Sequence, residues 1–219
     1  MVELVKKPSE EIYEIEFSGH FIPEKFNPLW FATKKLLGKK EAQEAEIINI
    51  IQGTYCAFKT NFLEIYVESG RFRVLSKNLA SHDLVNDMAI SVSKLLKDSL
   101  YDIFYINLKL HYSFSSKDEF SKKLNNLLTY QDWSNIFENP QLVGFRVTDS
   151  KTNETYDEEK LLSIFPCERQ DMEFTTHLYL KNRFIKKDQF ISLSYLLEEK
   201  QDLIKTNIEF ANKVIKRYF

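Results

Sequence analysis

Residues 62–75, FLEIYVESGRFRVL, predict a β-hairpin and with it the class of the fold. Ser69-Gly70 suits a two-residue turn, and the residues on either side of it then pair outward from the turn. The apolar pairs fall on one face and the polar pairs on the other: Val67–Phe72 and Ile65–Val74, then Glu68–Arg71 and Tyr66–Arg73. Such a pattern is typical of a sheet that buries one face and exposes the other to water.

The segments around the hairpin carry the periodicities of further strands and helices. Alternation predicts strands at 11–19, 47–59, 103–114, 141–148, 161–165 and 172–180, with Gly53 as a bulge or bend and an exposed turn over 149–159. Helical spacing predicts helices that begin near residues 28, 82 and 116, and a last one from about Ser192 to Tyr218. The fold class expected is α+β: an antiparallel sheet with helices packed on one face. The first half follows the order β-α-β-β-α-β, and the second adds strands and a long C-terminal helix.

Composition bounds the organisation of the chain. The 219 residues are enough to bury a sizeable core, and 43% hydrophobic with 28% charged residues is ordinary for a soluble globular protein. Glycine and proline number only five each, so long flexible linkers are not expected. We therefore expect a single domain over 1–219, with two sub-regions at about 10–115 and 116–219.

Charge and hydropathy narrow the class of partner. Thirty basic and 32 acidic residues give a net charge of −2, so there is no overall basic excess to attract nucleic acid, although a local patch would suffice. The N-terminal residues lack the apolar core of a secretory signal, and no window is apolar enough to span a bilayer. A cytoplasmic protein without a membrane partner is expected.

Motifs for catalysis or metal binding are missing from the sequence. There is no glycine-rich phosphate loop, no HExxH, no CxxC and no GxSxG. We therefore expect no catalytic residue, no metal, no cofactor and no enzymatic activity. Cys56 is expected to be an inert buried thiol, because no base lies beside it.

His111 is the most suggestive histidine. It shares a predicted strand face with Asn107 and Lys109, which could contact a ligand or a partner. A solvated face with its usual polar residues is the favoured interpretation. The weakest hypothesis is a hydrolase in which His111 converges with carboxylates of the predicted strands: Glu14, Glu16, Glu64 and Glu68.

Two late features could bind a macromolecule. A basic cluster with interleaved aromatic residues could hold a phosphate backbone, and it comprises Lys181, Arg183, Lys186 and Lys187. The final helix carries an apolar stripe that includes Ile204, Ile208 and Ile215. That stripe could dock on the chain's own sheet, which is favoured, or pair with a helix of a partner.

Several segments carry a family resemblance: HFIPEKFNPLWF at 20–31, FLEIYVESGRFRV at 62–74, INLKLHYSF at 106–114 and WSNIFENPQLVGFRV at 133–147. Over about residues 12–184 the chain resembles a sporadically distributed family of uncharacterised bacterial proteins. The matching positions are Phe21 with Pro23, Pro28-Leu29-Trp30-Phe31, Arg71-Phe72, and Ile106-Asn107 with His111. Tyr112 stands where the family pattern has phenylalanine. The family has no established activity, so the resemblance implies no catalytic residue.

The function expected from all of this is a non-enzymatic protein-interaction or scaffold component of a bacterial multi-protein system. Such a protein would bind a protein partner or form a homo-oligomer. The alternative is a nucleic-acid-binding accessory factor in phage defence or a mobile element.

Overall fold

The structure, a computed structural model, describes residues 6–96, 103–114, 116, 118–119, 122, 144–169, 172–187, 192–200 and 202–218. Side chains are described for these residues except 166–176, 193 and 218. Nine strands form one antiparallel sheet in the order β2-β3-β4-β5-β1-β6-β9-β8-β7. The strands are β1 (Glu10–Ser18), β2 (Glu46–Ile51), β3 (Tyr55–Lys59), β4 (Glu64–Glu68), β5 (Arg71–Ser76), β6 (Ile103–Ser113), β7 (Phe145–Thr152), β8 (Tyr156–Arg169) and β9 (Met172–Lys186). The helices are α1 (Pro28–Thr33), α2 (Lys39–Glu44), α3 (His82–Leu95), α4 (Leu193–Glu199) and α5 (Leu203–Tyr218), with short 3-10 turns at Pro23–Lys25 and Leu79–Ser81.

The hairpin predicted at 62–75 is confirmed in its register. β4 and β5 pair through the Ser69-Gly70 turn, and all four predicted cross-strand pairs are present. The strand predicted at 103–114 is confirmed as β6, whose even-numbered residues from Phe104 to Tyr112 are buried. Local alternation determined both elements, because each face of these strands has one chemical character.

The single strand predicted at 47–59 is wrong. Residues 46–59 form a second hairpin, β2–β3, which turns at Gln52–Thr54, where Gly53 has a φ of +74°. The left-handed backbone at this position favours glycine, so Gly53 makes a turn and not a bulge. A bulge does occur in β2, between Ile47 and Asn49. The predicted order β-α-β-β-α-β is therefore incomplete, since five strands precede α3.

The second half also differs from the prediction. Residues 149–159 are not one exposed turn, because β7 runs to Thr152 and β8 begins at Tyr156. The final helix is broken between Glu199 and Leu203 into α4 and α5. Lys200 Nζ at this break bonds Glu158 Oε2 of β8 at 3.0 Å. Most of the helix predicted from residue 116, and the apolar cluster at 133–137, lie outside the described residues.

The helices lie on one face of the sheet, as predicted. α3 contacts β1 and β5, and Tyr13 Oη of β1 donates to Asn86 Oδ1 of α3 at 2.9 Å. At the other end, Lys160 Nζ of β8 lies 4.7 Å from the ring centre of Phe210 on α5. The core is the layer between sheet and helices. Its largest fully buried side chains include Phe17, Phe31, Phe58, Phe72, Phe104 and Phe184. Helical spacing predicts Leu84 and Leu95 on the same apolar stripe of α3 as Val85 and Met88, but both leucines are 45% exposed.

Candidate functional site

A buried carboxylate, Glu14, lies on the face of the sheet opposite the described helices, which we call the open face. Its side chain is only 2% exposed. Glu14 Oε1 accepts a hydrogen bond from Asn107 Nδ2 at 2.7 Å, and Lys109 Nζ lies 3.1 Å from Oε2. Arg73 Nη1 approaches Oε2 to 3.8 Å from the opposite side. Because β1 lies between β5 and β6, both neighbouring strands place a cation near the same carboxylate. A buried charge needs such partners, so the network has a structural role.

Beside this network the open face holds a small charged pocket. Its volume is about 210 Å³, and its lining residues are Tyr105, Glu159, Leu161, Lys181 and Arg183. Lys181 Nζ lies 3.9 Å from the Tyr105 ring centre, and Arg183 Nη1 pairs with Glu159 Oε2 at 3.3 Å. Burial lowers the pKa of Lys181, although the nearby Glu16 carboxylate opposes the shift. These lining residues supply cations and one carboxylate, but no histidine, cysteine or serine that could act as a nucleophile.

His111 is buried, so the expected solvated face is wrong at this position. Its ring is 3% exposed and stacks on His177 of β9 with 4.0 Å between ring centres. Nδ1 lies 3.2 Å from Glu10 Oε2 of β1. Residues of β1 and β9 flank His111 in register and cover it from both sides, which strand alternation alone does not reveal. Glu14 is also buried, so the face is more enclosed than the sequence suggested.

The carboxylates of the predicted hydrolase hypothesis do not converge. Glu64 accepts from Tyr66 Oη at 2.6 Å and pairs with Lys77 Nζ at 2.9 Å. Burial opposes ionisation of Glu64, but those two donors outweigh it and hold its pKa below the ordinary value. Burial raises the pKa of Glu16, with Arg71 opposing the shift from 3.6 Å. Each of these carboxylates thus faces a cation, with Arg71 shared between Glu16 and Glu68, an arrangement typical of a structural face.

The four basic residues singled out in the sequence do not form one patch. Lys181 and Arg183 lie on the open face, whereas alternation along β9 places Lys186 on the opposite side. Lys187 pairs with Asp157 Oδ1 at 2.7 Å near the β7–β8 turn. Arg183 and Lys187 thus already face carboxylates, which weakens any attraction to a phosphate backbone.

The apolar stripe of the final helix is used within the chain. Ile204, Ile208 and Ile215 are between 2% and 8% exposed and belong to the core beneath α5. α5 also contacts β9 of the sheet. The stripe therefore docks on the chain's own sheet and does not offer a surface to a partner helix.

The most exposed apolar surface of the sheet is its first edge strand, which we call the β2 edge. All six residues of β2, EIINII, are exposed. Four of them are isoleucines that remain about half exposed: Ile47 46%, Ile48 43%, Ile50 51% and Ile51 53%. β2 pairs only with β3, so the backbone groups on its outer side have no strand partner among the described residues. An apolar edge with free backbone groups is a template for pairing with another strand.

The opposite edge of the sheet has a different chemistry. β7 carries Arg146, Asp149 and Lys151 among its exposed residues, and Val147, 55% exposed, is its only exposed large hydrophobic side chain. Charged side chains on an edge strand discourage pairing with other chains. Both edges are thus exposed, but β2 is apolar and β7 is charged, so β2 is the edge better suited to pairing with another strand.

A second apolar surface lies between α2 and α3. A groove of about 700 Å³ there contains Leu36, Leu63 and Met88, and also Phe62, which is 58% exposed. Its rim carries both signs of charge, including Lys40, Glu41, Glu44 and Asp87. Mixed rim charges do not select a charged ligand.

The β2 edge was not recognised in the sequence as a candidate site. Its four isoleucines in six residues fall within the single strand predicted at 47–59. Only the strand order shows that β2 is terminal in the sheet. A local signal was available in Gly53, since a left-handed turn there divides the run into a hairpin and allows its first strand to be an edge.

The described residues contain no group of three or more histidine, cysteine, aspartate or glutamate side chains able to hold a metal ion. Among them, no helix has the length and apolar character needed to cross a membrane. Comparison with known proteins found no matching family model and no matching curated protein. The resemblance described above therefore stays an expectation.

Proposed function

We propose that this chain is a protein-interaction or scaffold component that acts by strand addition at the β2 edge. In this mode an extended strand, from a protein partner or from another copy, pairs with the outer backbone groups of β2 and covers its isoleucines. The observation that carries the proposal is the exposure of Ile47, Ile48, Ile50 and Ile51 on a terminal strand of the sheet.

The energetics favour an interaction of moderate strength. Burying the exposed half of an isoleucine contributes about 1 kcal/mol, so four of them contribute roughly 4 kcal/mol. Each new backbone hydrogen bond adds about 1 kcal/mol. Association costs roughly 4–15 kcal/mol in lost freedom, so a single isolated edge gives weak binding and contacts beside the strand decide the final affinity. A regulated or multi-protein assembly suits such a surface.

A non-enzymatic role is supported by how the open face uses its charges. The carboxylate of Glu14 is bonded to Asn107 and Lys109, and Glu64 is bonded to Tyr66 and Lys77. General acid or base catalysis needs such a group within reach of a substrate proton. Groups that are committed to neighbouring side chains stabilise the sheet instead.

Site-specific photo-crosslinking in cells that produce the protein tests the proposal. A photoreactive amino acid replaces Ile48 at the β2 edge, and the same amino acid at Val147 on β7 is the matched control, because both positions are exposed on edge strands. We expect a discrete protein adduct from position 48 and none from position 147. Equal adducts at both positions, or none at position 48, would refute strand addition at β2.

A further inference from the structure

We propose that the occupant of the β2 edge is a second copy of this chain, paired antiparallel across a two-fold axis. This inference rests on the proposed function and names its partner. The result is a dimer in which the two nine-stranded sheets join edge to edge. Three features favour a second copy of this chain over an unrelated strand as the occupant: the positions of the isoleucines in β2, the position of the one charge in β2, and the chemistry of the β7 edge.

The isoleucines of β2 are self-complementary. With the axis between residues 48 and 49, Ile47 pairs with Ile50 of the partner subunit, and the reverse pair forms by symmetry. Within the chain, Ile47 is opposite Phe58 and Ile50 is opposite Cys56, both buried on the helix-bearing face. Both isoleucines therefore extend the core of that face outward to the edge, where the described residues leave them half exposed. Antiparallel pairing brings four such side chains together and continues the core across the axis.

The one charged residue of β2 selects the antiparallel arrangement. Glu46 begins the strand and pairs with Lys59 Nζ at 2.8 Å. In the proposed register the two copies of Glu46 lie at opposite ends of the paired strands, roughly 17 Å apart at 3.4 Å per residue. That distance exceeds the Debye length of about 8 Å at physiological salt. Parallel pairing would instead place the two carboxylates side by side, which is unfavourable.

The chemistry of β7 limits the assembly to two copies. In the two-fold arrangement the β2 edges of both chains are paired, and the β7 edges form the two ends of the joined sheet. Each β7 edge carries Arg146, Asp149 and Lys151. A closed two-fold contact ends growth, whereas head-to-tail pairing of β2 on β7 would produce open fibres. The charged β7 edge opposes the second outcome.

Light scattering after size exclusion tests the dimer, over a wide range of protein concentration. The expected mass is twice the chain mass of 26.0 kDa at high concentration. Ile50→Lys should weaken dimerisation by about a hundredfold, because the change enters the interface twice and places two ammonium groups beside each other's apolar strand. Val147→Lys makes the same change on the other edge and should leave the dimer intact. Circular dichroism melts should show both variants folded, since both side chains are about half exposed in the chain.

A dimer unaffected by Ile50→Lys, a strict monomer, or filaments in place of dimers would each overturn the inference. The crosslink at position 48 separates this failure from failure of the proposed function. An adduct of twice the chain mass supports self-pairing. An adduct of another mass keeps strand addition and overturns the second copy as occupant, and no adduct at all overturns both. Should Ile50→Lys fail to fold, hydrogen exchange of the wild-type β2 amides decides: they should become protected as concentration rises, and protection that does not change refutes the dimer.

Discussion

Removal of the Glu14 carboxylate tests whether the polar network of the open face stabilises the fold. In Glu14→Ala the Nδ2 of Asn107, a residue only 1% exposed, loses its acceptor, which costs about 1–3 kcal/mol. Lys109 loses the carboxylate 3.1 Å away, but it is 26% exposed and is partly hydrated again, so this loss is about 1 kcal/mol. We expect the free energy of unfolding to fall by about 3 kcal/mol, at the lower end of the roughly 3–5 kcal/mol typical of a fully buried pair.

Urea denaturation measures the change, and the chain offers a matched control. Glu46 pairs with Lys59 at 2.8 Å, a shorter distance, yet both side chains are exposed, 65% and 44%. Glu46→Ala should therefore lower the free energy of unfolding much less than Glu14→Ala does. Glu14→Gln keeps an acceptor for Asn107 and should fall between wild type and Glu14→Ala. If Glu14→Ala and Glu46→Ala lower the free energy of unfolding equally, burial of Glu14 does not increase its contribution to stability.

Three further changes have defined outcomes. The pKa of Glu64 is held below its ordinary value of 4.5, so its contribution to stability is present above pH 4.5 and is lost as the pH falls through the folded-state pKa. In urea titrations at a series of pH values, Glu64→Gln should therefore reduce the loss of stability at acid pH. An unchanged loss would contradict the pairing of Glu64 with its donors. Gly144→Ala should lower the melting temperature, because the new methyl group would lie 2.7 Å from the Ile164 carbonyl oxygen. The control Gly70→Ala meets nothing within 4 Å and should leave the melting temperature unchanged. Equal melting temperatures of the two variants would contradict the close approach at Gly144. Burial raises the pKa of the Cys56 thiol, which is 1% exposed, so in a Cys167→Ser background it should react with a thiol reagent only after unfolding; fast native labelling would show that the site is open.

The β2 edge and the buried network around Glu14 have different consequences for the molecule. The network around Glu14 joins β5, β1 and β6 in the middle of the sheet, where Arg73, Glu14 and Lys109 meet. It stabilises the scaffold without offering a free reactive group. The β2 edge lies four positions away in the strand order and is held only by β3. An internally bonded centre, and an edge strand with no second strand partner among the described residues, are the arrangement that strand addition requires.

Elements that depend on neighbours along the chain could be predicted from the sequence. The β4–β5 hairpin is an example, because a two-residue turn fixes its register and the pairs Val67–Phe72 and Glu68–Arg71 follow from it. β6 is another, since its alternation separates the buried face from the polar face over eleven residues. The helices near residues 28 and 82 followed from helical spacing in the same way.

Properties that depend on distant segments were decided only by the tertiary structure. An isoleucine-rich strand has the same sequence at the centre of a sheet and at its edge, and the order of strands, a non-local property, exposes β2. Glu14 and His111 are likewise polar residues of ordinary alternating strands, yet flanking strands far along the chain bury both. The alternation of apolar and polar residues predicts on which face of the sheet a side chain lies, but it does not predict which strand lies next to it. Therefore the sequence alone determined the two-faced sheet, and the fold determined which edge of that sheet has no strand partner among the described residues.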